Sequence, residues 1–301
     1  MSKKLLFTVC TPCFNSSKFI KRLYLSLEKQ TYKNFEWLVI DDCSTDNTYL
    51  LLKEFKKKSS FKIRIIRNKK NLMVSRCWNM GVKQAKGFFF IGIGHDDVLV
   101  PGALNIFLNT WNKLELLKRR NLCGLMAQCI DQYGNYTQDF FPDAPCIENW
   151  FNMNFKVRGE KCFCYKTEIL KKNNFSFKDL YVPENLTLLN ISDKYDTYFI
   201  NDPLRIYYIK QKNHRSLTDR FLNNRFIYPL GFREEKMQNI NRRWKKMLIR
   251  NPWYFLKTLM NYTKFSMYAK KNLRETTRPI KNLLFKWLVV VFFFTIGIIK
   301  N

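Results

Sequence analysis

The sequence has no glycine-rich loop of the kinds that bind phosphate groups through backbone amides. Neither GxGxxG nor GxxxxGK[ST] occurs, and only 10 of the 301 residues are glycine. This excludes the dinucleotide-binding and P-loop classes, which depend on such loops. A phosphate-bearing ligand would have to be held by a metal ion and by cationic side chains.

Acidic residues are scarce, since 24 Asp and Glu stand against 53 Lys and Arg, for a formal net charge of +29. The positive electrostatic field of such a chain favours phosphate-bearing partners or an anionic membrane surface. Nucleic acid is the competing class of partner. Nucleic-acid binding predicts basic and aromatic residues along a groove, without an all-apolar terminal segment. Because the chain ends in the apolar run from Trp287 to Ile299, we expect no nucleic-acid partner.

No secretion signal opens the chain, because the stretch from Leu5 to Cys10 is too short for a signal core and fits a first strand better. We therefore expect the chain to stay on the cytoplasmic side of the membrane. The nine cysteines are odd in number and scattered. This pattern fits free thiols in a reducing compartment better than a disulfide framework.

Short apolar runs alternate with helical patterns in the first part of the chain. The runs are Lys4–Cys10, Phe35–Ile40, Ile63–Ile66 and Phe88–Ile93. Strands alternating with helices predict an α/β fold with a parallel sheet, whose strands all end at one edge. The polar clusters Thr11–Asn15, Asp41–Asp42 and Asp96–Asp97 follow three of these runs. We therefore expect the clusters to converge at that edge.

Two adjacent carboxylates, Asp96 and Asp97, follow the fourth run. Side by side they repel unless a cation or hydrogen-bond donors hold them, and a divalent metal that bridges to phosphate is a natural occupant. The alternative is an acidic N-cap, since Pro101 could open the next helix.

Several motifs occur in a fixed order in the first part of the chain. They are Thr8–Asn15, Gln30–Glu36, Val39–Thr48, Asn71–Gly81 and Ala85–Gly87. Together they closely resemble the family 2 glycosyltransferases over roughly the first 115 residues. The resemblance implies a GT-A fold, with a Rossmann-like, mostly parallel sheet flanked by helices. It also implies inverting transfer from a nucleotide-diphosphate sugar, with UDP as the default nucleotide.

The resemblance also assigns roles by position in the donor-binding half. The residues placed near the nucleoside or diphosphate are Thr11, Phe14, Asn15, Asp41, Asp42, Arg76 and Asn79. A carboxylate can accept hydrogen bonds from a base N–H or a ribose hydroxyl, and arginine fits phosphate. Helix capping is the alternative role for the Asp41–Asp42 pair, and a solvated helix face is the alternative for Arg76.

The sequence departs from the family at Gly94, where many relatives carry an aspartate. Mg²⁺ needs only one or two protein carboxylates besides phosphates and water. The resemblance therefore implies Asp97 as the direct ligand of Mn²⁺ or Mg²⁺, and Asp96 as the ribose or metal-water partner. His95 is either a further ligand or a hydrogen-bond partner of the carboxylates. Because of this departure, the alternative that the protein is a catalytically silent scaffold stays open.

The later part of the chain resembles the family's second half, where a carboxylate before a helix acts as base. Glu184 matches that carboxylate, because an acceptor hydroxyl must lose its proton as it attacks. A first-turn acid that stabilises the helix dipole is the alternative, and Asp179 is the substitute base. The loop with His214 and Arg215 is expected near the diphosphate, or else is an exposed turn.

The charge is concentrated near the C-terminus, where residues 236–286 hold fourteen Lys and Arg against the single acidic Glu275. Cations interleaved with aromatic residues predict amphipathic segments on an anionic membrane. The apolar run from Trp287 is too short to cross a bilayer cleanly, and packing on protein is its alternative.

Three regions follow from the resemblance and the composition. They are a nucleotide-sugar-binding half at 1–115, an acceptor-binding half at 116–220 and a basic helical tail at 221–301. We predict transfer of a sugar to a hydroxyl of a lipid-linked or cell-surface glycan. The reaction is expected at the cytoplasmic face of the cell membrane.

Overall fold

The computed structural model describes residues 5–137, 139–173, 181–209 and 228–300. The chain divides into two compact units. The first comprises Met1–Phe175 with Thr187–Gln211, and the second comprises Ser176–Leu186 with Lys212–Asn301. The boundaries expected after residues 115 and 220 stay predictions.

The first unit contains a nine-stranded sheet. Its strands are β1 (Phe7–Cys13), β2 (Phe35–Asp41), β3 (Lys62–Arg67), β4 (Phe89–Gly92), β5 (Val98–Leu99), β6 (Leu122–Ile130), β7 (Cys146–Glu148), β8 (Cys162–Lys166) and β9 (Asp196–Ile206). Its helices are α1 (Ile20–Glu28), α2 (Thr48–Lys58), α3 (Val74–Gln84), α4 (Ala103–Lys113), α5 (Leu116–Arg120), α6 (Trp150–Lys156) and α7 (Thr167–Lys172). Helix α8 (Asn185–Ser192) has residues in both units.

The strand order is β3-β2-β1-β4-β8-β6-β9-β5, with β7 paired to β9. The first four strands are parallel to one another, as the alternation of strands and helices predicts. Beyond β4 the sheet is mixed, because β8 runs antiparallel to both β4 and β6. The predicted α/β class, a central sheet flanked by helices, is confirmed.

The central strands are covered on both faces, since every residue of β1 and β2 is buried. Helix α1 shows how the cover forms, because its buried residues Ile20, Leu23 and Leu27 recur at spacings of three and four along one face. Burial of the whole strand leaves the strand ends as the places where polar side chains can meet a ligand.

The second unit is helical in its described part. Its helices are α9 (Pro229–Arg250), α10 (Pro252–Tyr268), α11 (Leu273–Thr277) and α12 (Leu283–Lys300). One face of α12 is buried at Phe285, Val289 and Ile296. This face of the apolar run therefore packs on protein. Within the residues that the structure describes, no helix combines the length and apolar character needed to cross a bilayer.

Candidate functional site

The loops that follow β1, β2 and β4 lie at one edge of the sheet. Asp42 donates its backbone N–H to Cys13 O at 2.8 Å, and Ile93 donates to Cys10 O at 3.0 Å. These bonds continue the parallel ladders past the strand ends. The clusters at Asn15, at Asp41 and after Ile93 therefore share the carboxyl edge, although they lie far apart in sequence.

The β1 loop is fixed by Asn15, which has a φ of 49°. Its side-chain Oδ1 accepts from Thr45 N at 2.8 Å, and its own N–H donates to Ser44 Oγ at 3.0 Å. Phe14 beside it is 44% exposed, so its ring is accessible to a ligand. Thr11 is buried, and its hydroxyl accepts from Trp37 Nε1 at 3.0 Å, which places this side chain in the core.

Asp41 and Asp42 have different surroundings. Asp42 accepts from Asn68 Nδ2 at 2.7 Å, from Leu72 N at 2.8 Å and from Met73 N at 2.9 Å. Both of its oxygens thus hold the segment that leads into α3, and the role assigned to Asp42 toward the donor stays a prediction.

Asp41 is fully buried, and its Oδ1 accepts from Ser44 N at 3.1 Å. Its Oδ2 lies 3.2 Å from Arg67 Nε, but it has no hydrogen bond to any described residue. The Arg67 guanidinium is the charge partner of this oxygen, so the carboxylate is held at the carboxyl edge by the chain.

Asp97 forms a buried ion pair with Arg205 of β9. Arg205 Nε lies 3.1 Å from Asp97 Oδ2, and Nη2 donates to the same oxygen. The other oxygen accepts from Tyr208 N at 3.0 Å. Burial raises the pKa of Asp97 to about 6, against the lowering effect of the Arg205 guanidinium. The carboxylate is thus held in place by the chain itself.

A second arginine holds the same loop from the other side. Arg22 of α1 donates to the backbone carbonyl of Asp96, and its guanidinium carbon lies 3.4 Å from the ring centroid of Tyr208. Neither arginine was among the site residues predicted from the sequence. The signal was present for Arg205, because an arginine between Leu204 and Ile206 in a strand needs a carboxylate partner when it is buried.

The carboxylates of Asp96 and Asp97 converge where Gly94 lacks a side chain. An ideal Cβ on Gly94 would lie 2.8 Å from Asp96 Oδ1 and 3.1 Å from Asp97 Oδ2. In the described parts of the chain, no group of three or more His, Cys, Asp or Glu side chains could hold a metal ion. Two neighbouring carboxylates fit Mn²⁺ or Mg²⁺ in chemical type when phosphate and water complete the shell.

The Gly94→Ala variant tests this convergence, because its methyl group would force the two carboxylates apart. We expect metal-dependent UDP affinity to fall about tenfold, equivalent to about 1.4 kcal/mol, in a calorimetric titration with Mn²⁺. Gly297→Ala is the matched control, since its added Cβ would come no closer than 3.8 Å to Met267 Cε. Equal UDP affinity in both variants would contradict the convergence of the carboxylates on a metal.

The remaining donor-side residues lie on or near elements of the first unit. Arg76 and Asn79 are half-buried and three residues apart on α3, so they share one face of that helix. The His95 ring is half-buried, with its centroid 6.3 Å from that of Phe19. The roles assigned to these residues stay predictions.

Glu184 is half-buried and directly precedes α8. Its segment is anchored to α9 within the second unit, where the Tyr181 ring lies 5.4 Å from that of Tyr228. A Cβ on Gly231 would come within 1.7 Å of Tyr181 O, so this close approach requires glycine. The substitute base Asp179, and the loop residues His214 and Arg215, lie outside the described residues.

The sequence model of glycosyl transferase family 2 matches residues 8–169. This is more than half of the chain, so the chain belongs to that family, and the family predicted from the motifs is confirmed. The match contains Asn15, the Asp41–Asp42 pair and the Asp96–Asp97 pair, which are the clusters that meet at the carboxyl edge.

Two curated relatives illustrate the range of the family. The poly(ribitol-phosphate) beta-N-acetylglucosaminyltransferase TarS of Staphylococcus aureus is 27% identical over 186 residues, which are 60% of this chain and 30% of TarS. This chain thus matches less than a third of that relative. A GalNAc(5)-diNAcBac-PP-undecaprenol beta-1,3-glucosyltransferase of Campylobacter jejuni is 25% identical over 292 residues, covering 94% of this chain and 88% of the relative.

Solved structures share the fold. TarS 1–349 of S. aureus in complex with UDP has a TM-score of 0.56 at 17% identity, covering 96% of this chain and 88% of that one. The mannosyltransferase PcManGT of Pyrobaculum calidifontis, in complex with GDP-Man and Mn²⁺, has a TM-score of 0.53 at 14% identity, covering 96% and 80%. At these identities the likeness shows the GT-A fold alone.

Proposed function

We propose that the protein is an inverting, metal-dependent glycosyltransferase that uses a nucleotide-diphosphate sugar, with UDP as the nucleotide. One observation carries the proposal. In a chain of this family, the ends of β1, β2 and β4 bring Asn15, Asp41 and the Asp96–Asp97 pair to a single edge. Ligands of open α/β sheets bind at such an edge.

The donor's nucleoside binds beside Asp41 and Phe14 in this proposal. Asp41 Oδ2 supplies a buried acceptor for a base N–H or a ribose hydroxyl, and the exposed Phe14 ring offers an apolar face. Arg76 and Asn79 contribute polar groups toward the base or diphosphate. Asn15 and Asp42 contribute to donor binding by fixing the loops around the donor.

The transfer is a single displacement. As the acceptor hydroxyl attacks the anomeric carbon, the new C–O bond forms while the bond to the diphosphate oxygen breaks. Glu184 takes the acceptor proton. A bound Mn²⁺ or Mg²⁺, held by Asp97 with Asp96 as the ribose or metal-water partner, would supply positive charge that offsets the charge of the departing diphosphate. Arg205 keeps the Asp97 carboxylate in position before the donor binds, and Arg22 holds the backbone carbonyl of Asp96. The roles expected of His214 and Arg215 toward the diphosphate concern residues outside the described part of the chain.

The acceptor is a hydroxyl of a lipid-linked or cell-surface glycan. The names of the relatives support this class, since one acts on a poly(ribitol-phosphate) and another on an undecaprenol-linked glycan. Such an acceptor places the reaction at the cytoplasmic face of the cell membrane. The basic tail, with fourteen cations in residues 236–286, supports contact with an anionic membrane there.

A nucleotide-sugar screen tests the proposal. We expect UDP, together with Mn²⁺ or Mg²⁺, to raise the melting temperature of the full chain, because a ligand that binds only the folded state stabilises it. Release of UDP from one UDP-sugar should follow when a lipid extract in detergent supplies the acceptor. The matched variant is Asp41→Asn, which keeps the shape of the side chain but removes its charge. We expect this variant to show no thermal shift with UDP. No shift with any nucleoside diphosphate would favour the silent scaffold instead.

A further inference from the structure

One end of the second unit exposes large apolar side chains. Ile249 and Trp253 flank the turn between α9 and α10 and are 87% and 70% exposed. In the first turns of α12, Leu283, Leu284 and Trp287 are 79%, 63% and 62% exposed. We name these five residues the helix-end surface. Single exposed apolar residues are ordinary, but several large ones at one end of a helical unit make that end a candidate interaction site.

The two parts of the helix-end surface belong to the same end of the unit. Phe285 packs its ring 4.8 Å from that of Phe255 on α10 and 5.3 Å from that of Trp244 on α9. Phe255 lies two residues after Trp253, and Trp244 lies five residues before Ile249. Because one helical turn rises only about 5.4 Å, the start of α12 lies close to the turn between α9 and α10.

Exposed cations flank the residues of the helix-end surface in the sequence. The exposed ones nearest in sequence are Lys245, Lys246, Arg250, Lys257 and Lys281. The single acidic residue of the segment 236–286 is Glu275, and its carboxylate lies 2.7 Å from Lys271 Nζ. Within the segment 236–286, the charge is therefore almost entirely positive.

We propose that the helix-end surface docks on an anionic lipid bilayer. Tryptophan is suited to the boundary between headgroups and acyl chains, and lysine and arginine pair with anionic headgroups. The inference rests on the membrane location proposed above and specifies the surface that makes the contact.

The structure also limits how deeply the chain enters the bilayer. Phe285, Val289 and Ile296 of α12 are buried within the protein, so this face of the helix is not available to lipid. Contact is made by the first turns of α12 and by the α9–α10 turn. The chain lies on the membrane through side chains at the ends of helices, and α12 does not insert as an independent segment.

Vesicle sedimentation of the full chain tests the inference, with phosphatidylcholine vesicles that contain or lack phosphatidylglycerol. We expect binding only to vesicles with phosphatidylglycerol, and a loss of at least about tenfold in the Ile249→Ser/Trp253→Ser variant. The Lys245→Gln/Lys246→Gln/Arg250→Gln variant should lose binding likewise. The matched control is Leu116→Ser/Leu117→Ser, which removes two leucines that are 75% and 73% exposed in the first unit and should bind like the wild type.

Three outcomes would overturn the inference. They are an absence of binding, binding that the Ile249→Ser/Trp253→Ser variant retains, and self-association of the chain that this variant abolishes. The last outcome would make the occupant a second copy of the protein. No donor or acceptor is present in the vesicle assay, so its failure would leave the UDP thermal shift as a separate test of the transferase.

Discussion

Replacing Asp97 with alanine reduces sugar transfer by about 1,000-fold or more and removes the metal-dependent part of UDP binding. Loss of a preorganised electrostatic group that stabilises developing charge has effects of about this size. The measurements are UDP release at saturating donor and a calorimetric UDP titration with and without Mn²⁺. The single variant also leaves Arg205 buried without its ion-pair partner, which costs about 3 to 5 kcal/mol of stability.

A second variant separates catalysis from folding. Asp97→Ala/Arg205→Met removes both partners of the ion pair, and replacing a whole buried pair by apolar groups is often neutral for stability. We expect this protein to melt close to the wild type but to stay inactive and to bind UDP without a metal effect. Wild-type turnover in the double variant would show that Asp97 serves only to pair with Arg205, and the metal assignment would be withdrawn.

The parallel part of the sheet could be predicted from the sequence because its signals are local. The run Phe35–Ile40 is apolar except for Glu36 and ends at paired carboxylates, and the strand forms at Phe35–Asp41. The position of β8 could not be predicted in this way. It pairs antiparallel with β4 across about seventy residues of sequence, and no local periodicity encodes which distant strand becomes a neighbour.

The same distinction applies to the site. The strand ends locate Asp41 and Asp97, since a run of buried residues must stop where charge begins. The partners of those carboxylates come from elsewhere, and Arg205 lies 108 residues from Asp97. The contacts separate the roles of Asp41 and Asp42 as well, because only the three-dimensional structure shows that Asp42 holds the backbone at Leu72 and Met73.

The tail shows a limit of composition as a signal. A run of apolar residues after Trp287 predicts contact with lipid or with protein and does not distinguish them. In the structure the helix presents Val289 to the interior and Trp287 to the exterior. The face of each residue, rather than the apolar content of the run, decides which contact is made.

Replacing Glu184 with glutamine reduces turnover by about 100-fold to 10,000-fold, the usual contribution of a positioned general base, and leaves UDP affinity unchanged. The amide has nearly the shape of the carboxylate but cannot take the acceptor proton. A side chain that directly precedes α8 also interacts with the helix N-terminus, and this interaction is worth about 0.3 to 1 kcal/mol at the surface. Loss of that interaction would lower the melting temperature slightly without affecting turnover.

Matched variants separate these two roles of Glu184. Glu184→Asp keeps the charge at the helix N-terminus and moves the carboxylate back by one methylene, so it should melt like the wild type and turn over slowly. Asp179→Asn tests the substitute base and should stay active. If Glu184→Gln is fully active while Asp179→Asn is not, the proton passes to Asp179, and Glu184 acts on α8 alone. A purely structural role of Glu184 would not lower kcat while leaving the UDP dissociation constant unchanged. A disturbed α8 would first lower the melting temperature.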